Sequence, residues 1–134
     1  MLLTKRSATL TASADSSGLA VATGCLTDET ADCDNQKADY QSSKDAILDW
    51  SHDAYINSDG AHYGIVCKQH DATQVLGYLI EPPRCDDATR SIHITFRAAD
   101  KEASRLLRDG FVAGLSHHIE ADRLFHAECN SDVI

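Results

Sequence analysis

The chain has 134 residues, 43% of them hydrophobic and 25% charged, with a net charge of −9. That size fits one domain, spanning 1–134, with a core of its own. The acidity argues against a nucleic-acid partner, because phosphate-backbone binding needs clustered Lys and Arg. The five cysteines, Cys25, Cys33, Cys67, Cys85 and Cys129, are odd in number and form no C-x-x-C. They predict reduced, mostly buried thiols in a cytosol rather than a disulfide framework or a zinc ribbon.

In chain order, Met1-Leu-Leu-Thr-Lys-Arg lacks the apolar core of a secretory signal. No stretch approaches the roughly 20 apolar residues of a bilayer span, so no membrane partner is expected. Residues 8–14 alternate weakly, and Gly18 to Leu26 makes a better strand; Asp15-Ser-Ser-Gly18 between them is turn chemistry, which predicts an N-terminal hairpin. Thr27 to Tyr40 is polar and acidic and reads as a surface loop. Ser42-Ser43-Lys44-Asp45 reads as a helix start, with Ser42 as the cap and Asp45 near the positive helix end. Ile47, Trp50 and Ala54 then form an apolar stripe, Trp50 as a core anchor, and Asn57-Ser-Asp-Gly60 ends the helix.

Tyr63–Cys67 and Gln74–Ile80 read as short strands, the second stopped by Pro82-Pro83. Ser91–Ala98 is the clearest strand, with Ile92, Ile94, Phe96 and Ala98 on one face and His93, Thr95 and Arg97 on the other. Asp100 caps a second helix whose Ala103, Leu106 and Leu107 face inward, with Gly110 as its C′ residue and Phe111 folding back on Leu106. Phe111 to Ile119 leads into a strand, Glu120 to Arg123 a turn, and Leu124 to Cys129 a returning strand. This order predicts an α+β fold, with a mostly antiparallel β-sheet or small β-barrel and two helices.

Two words carry the chemistry. Ser116 ends the small-residue run Gly110-Phe-Val-Ala-Gly114-Leu115-Ser116, and His70 lies upstream in Lys68-Gln69-His70. A serine hydroxyl is a poor nucleophile without a nearby base, and the intervening strands and helix can bring an imidazole to it.

The words Thr27-Asp-Glu-Thr, Asp39-Tyr40-Gln-Ser42-Ser43-Lys44, Trp50-Ser51, His70, Leu76-Gly77, Ile92-His-Ile94, Arg108-Asp-Gly110 and Gly114-Leu115-Ser116 together resemble the serine-protease domain of tailed phages. That domain belongs with the prohead maturation proteases and is similar in fold to the herpesvirus assemblins. The resemblance is strongest over 18–119. It implies a prohead-protease-like fold with Ser116 as nucleophile and His70 as base. Assemblin-like proteases orient the base with a second histidine. The hairpin after Ser116 offers His126 in that role, with Glu128 and His118 as the other choices. Amides near Ser116, or the Arg105–Arg108 segment, are the candidates for holding an oxyanion.

The family usually follows its serine with small residues, whereas this chain has His117-His118-Ile119. The expectation is therefore a capsid-associated structural protein of the phage head, cement- or decoration-like, with catalysis lost or residual. The alternative is an active serine endopeptidase that cleaves scaffold and capsid precursor during assembly. Either role implies the major capsid protein or scaffold as partner and a homo-oligomer within an assembly. The expected location is the virion head, or the host cytoplasm during assembly. No cofactor is expected. His117 and His118 alternate across a strand and cannot easily share a metal ion with His126. Asp28, Glu29, Asp32 and Asp34 lack the glycine and closing glutamate of a calcium loop.

Overall fold

A computed structural model describes residues 2–7, 10–29, 39–68, 71–109, 112–120 and 127–133. The strands are β1 (Leu2–Ser7), β2 (Leu10–Ala14), β3 (Ala20–Thr27), β4 (Ile65–Lys68), β5 (Asp71–Leu79), β6 (Arg84–Asp86), β7 (Ser91–Ala98), β8 (Val112–Glu120) and β9 (Ala127–Val133). Helix α1 (Tyr40–Asn57) lies between β3 and β4, and α2 (Lys101–Arg108) between β7 and β8. The fold is α+β: one open, mostly antiparallel sheet with two helices. Its strand order is β1-β8-β9-β4-β5-β7-β3-β2, with β6 added to β7. The sheet curls far enough to bring β1 and β8 close to β3. Among the described residues no ladder joins its end strands β1 and β2, so the barrel alternative is not what forms.

Period-two patterning explains the centre of this sheet. On β7, Ile92, Ile94, Phe96 and Ala98 are buried while His93, Thr95 and Arg97 are half-exposed, as the alternation predicts. The inward set packs with Leu26, Ile47, Val66, Leu76, Leu79 and Leu115 into one core. The N-terminal hairpin forms as expected, with β2 on β3 and Gly18 at φ +83° closing the turn. Of the five cysteines, Cys25, Cys67 and Cys85 fall among the described side chains, and none of the three is in a disulfide.

α1 begins three residues earlier than the serine pattern suggested. Asp39 is the cap: its carboxylate accepts the backbone N–H of Ser42 at 2.9 Å and the Ser42 hydroxyl at 2.8 Å. An ionised acceptor at the helix start outcompetes a hydroxyl for those amides. The buried face is accordingly Tyr40, Ser43, Ala46, Ile47 and Ser51. Trp50 is half-buried against the core, and a Cβ on Gly64 would lie 2.2 Å from its ring. Gly64 is at φ +151°, so the indole covers a backbone position that only glycine fills without strain. α2 starts at Asp100 as expected, and its carboxylate accepts the Ala103 N–H at 2.8 Å. The Gly110 and Phe111 readings, and most of the acidic loop, lie outside the described residues.

Two strands had no counterpart in the sequence reading: β1, which pairs with β8, and short β6, which pairs with β7. The returning strand expected after β8 forms as β9, later and longer than its expected bounds, antiparallel to β8 and also parallel to β4. The β4–β9 pair is the one parallel ladder among those described, and parallel strands need a long connection.

Gly77 sets the spacing between β5 and β7. A Cβ there would lie 2.4 Å from the Arg97 carbonyl oxygen and 2.8 Å from the Phe96 ring. Gly77→Ala should therefore lower stability by about 1–3 kcal/mol, read as a lower midpoint in urea. The Ser43 hydroxyl is buried on α1 without a hydrogen-bond partner among the described residues. Ser43→Ala should raise stability by about 1 kcal/mol in the same assay, because it removes that orphan and improves helix propensity.

Candidate active site

Position 116 lies in the middle of β8, opposite Arg6 of β1 on one side and Asn130 of β9 on the other. On β9, Asn130 is in turn level with Cys67 of β4. The strand order β8-β9-β4 thus sets three segments side by side: the one with Ser116, the one that follows it, and the one that leads toward His70. His118 is opposite Glu128 in the β8–β9 ladder, two positions along from Ser116 and Asn130. Two of the three candidates for the third member are therefore neighbours in register. His70 and His126 lie outside the described residues.

The surroundings of Ser116 bear on the oxyanion question. Over Leu115–Ile119, β8 has β1 on one edge and β9 on the other. In such a strand successive N–H groups go alternately to the two neighbours, so both ladders take them up. In the alternative donor segment Arg105 is committed: it bonds Glu102 at 2.7 Å, its Nη1 is 4.0 Å from Asp109, and its pKa is pushed up by Glu102.

A second hydroxyl–imidazole pair went unnoticed in the sequence. The Ser91 Oγ is 3.0 Å from His93 Nε2 and 2.6 Å from Thr89 Oγ1. The signal was there, since residues two apart share a strand face and β7 is the clearest strand. Its chemistry is structural. Ser91 is 6% exposed. Asp86, paired in register with Ser91, accepts the backbone N–H groups of Ala88 and Thr89, and these bonds hold its carboxyl below the usual range. The pair continues along the outer face of β7 into Thr95, whose hydroxyl is 3.0 Å from that of Thr23, and Arg97, which bonds Asp15 at 2.5 Å.

The end of the acidic loop is pinned by charge. Glu29 accepts Arg90 at 2.6 Å and the Tyr40 backbone N–H at 3.2 Å. The Tyr40 hydroxyl donates to Asp87 at 2.6 Å, and Lys44 reaches the same carboxylate at 3.0 Å. These two donors lower the Asp87 pKa, while burial first and then Asp87 push the Tyr40 phenol well above its ordinary value. Among the described residues no group of three or more His, Cys, Asp or Glu side chains could hold a metal ion. Nor is any helix among them long and apolar enough to cross a membrane.

Against known protein families, curated proteins and solved structures, the chain matches none.

The Asp15 carboxyl is held at about 2, below its ordinary 3.8, by hydrogen bonds from Ser17 and Arg97. A depressed native pKa means that the ionised form stabilises the fold, an effect complete above about pH 4 and lost as pH falls through about 2. Asp15→Asn should lower the Tm at neutral pH, and its gap from the parent chain should close across that acid window in circular-dichroism melts.

Proposed function

We propose that this chain is a structural protein of a tailed-phage head, a cement- or decoration-like module on a prohead-protease-like framework with catalysis lost or residual. It assembles with the major capsid protein or scaffold, as copies within the particle. The resemblance of its sequence words to the prohead proteases supplies the lineage. One observation supports the structural role over the enzymatic one: the strand bearing Ser116 has paired neighbours on both edges across the serine. An acyl-transfer site needs donors aimed at the developing oxyanion. A strand whose amides are held in two ladders has none to offer. The residues after the serine, His117-His118-Ile119, replace the small residues that let substrate backbone come close.

The alternative is an active serine endopeptidase with Ser116, His70 and a third member from His126, Glu128 or His118. The side-by-side order β8-β9-β4 favours it, because it sets the strand of Ser116 and His118 beside the one with Glu128 and the one that leads toward His70.

A fluorophosphonate probe separates the two readings. The structural role predicts no labelling of the purified protein, and many copies per mature virion by quantitative mass spectrometry. Labelling that disappears in Ser116→Ala, with cleavage of scaffold by the parent chain alone, would establish the protease instead.

A further inference from the structure

Tyr55, Ile56, Ile65, Tyr78 and Ile80 are the large apolar side chains that the described residues leave exposed. All five come from one region, the end of α1 and the β4–β5 hairpin with the residue after it. Ile65 is the cross-strand partner of Tyr78. The His62 ring tilts against Tyr78 at 5.0 Å, and Tyr55 stacks on Tyr63 at 4.7 Å with their planes 16° apart. These rings are fixed against each other rather than free to collapse, so their exposed faces are preformed. Single exposed apolar residues need no explanation, but a contiguous cluster does.

The cluster borders a groove of about 550 Å³, with Leu79 and Ala98 beneath it, His62, Tyr78 and Ile80 along it and Arg97 among its lining. That volume lies within the range of natural ligand pockets and suits one or two large side chains. Arg97 brings no net charge, because its guanidinium is paired with Asp15. The charge comes from the helix. Asp49, Asp53 and Ile56 share the exposed face of α1 over its last two turns, and Asp59 comes directly after Ser58, which lines the groove. The three carboxylates are exposed, and none has an ion-pair partner among the described residues. An apolar groove beside unpaired negative charge favours an occupant with an apolar anchor and positive flanks. It disfavours a second copy of this chain, which also carries −9.

We propose that the groove between the end of α1 and the β4–β5 hairpin is a docking site for a partner-protein segment whose aromatic or branched apolar side chain is flanked by Lys or Arg. The anchor fills the groove against Tyr78 and Ile80, and the flanking cations meet Asp53 and Asp59. The site lies apart from Ser116 and does not depend on the chain being a head protein.

The test titrates isotopically labelled protein with acetyl-Lys-Lys-Phe-Leu-Lys-Lys-amide, with a glutamate-flanked counterpart and with a lysine peptide lacking the anchor, followed by NMR. The lysine-flanked anchor should bind, with shifts at residues 61–63 and 78–80, and the other two peptides should not. Tyr78→Ala should weaken binding by about tenfold, the loss typical of an interface anchor. Ile56→Asn, at a side chain 58% exposed, gives a second variant whose folding is not in question. The double variant Asp53→Asn with Asp59→Asn should weaken binding and flatten its salt dependence. No binding, equal binding of the three peptides, or affinity unchanged in these variants would overturn the proposal. So would a concentration-dependent dimer abolished by Ile56→Asn, which would assign the patch to a second copy.

Discussion

The division of β7 into two unlike faces organises the molecule. Its buried face, Ile92 to Ala98, supplies the middle of the core, and three strands (β3, β5 and β6) hang from its edges. Its other face carries a row of polar pairs from Ser91 to Arg97. Apolar burial holds the layers together, while the polar row satisfies groups that half-burial would otherwise leave costly. Gly77 then lets β5 approach closely enough for both arrangements to coexist.

The candidate site belongs to the opposite half of the sheet, where pairing rather than patterning decides the geometry. Ser116 is held by register between Arg6 and Asn130, and its strand gives its hydrogen-bonding groups to two neighbours. A nucleophile works best where backbone is left over to meet a transition state. The structural role proposed for the chain rests on that contrast.

Local signals were readable in the sequence and partnerships were not. The period of β7, the Asp15–Gly18 turn and the Asp100 cap each depend on residues within a few positions of one another, and each stands in the structure. The start of α1 was misplaced because two kinds of cap, Asp39 and Ser42, compete within three residues, and charge decides between them. β1 and β6 were not legible because one pairs with a distant strand and the other is very short, and the parallel pairing of β9 with β4 depends on the same kind of distant partner. For the site, the sequence named Ser116 and its candidate partners, but strand order had to come from long-range pairing that no local word encodes. The Ser91–His93 contact is legible from spacing alone, because residues two apart on β7 share a face.

The pairing of β1 with β8 joins Leu2 to Glu120. During synthesis β1 emerges long before β8 exists, so the edge that β8 will cover stays open until then. Closing so large a loop is slow compared with forming a hairpin. The β1–β8 ladder therefore carries a loop-closure cost that the β2–β3 and β8–β9 ladders, each between consecutive strands, do not.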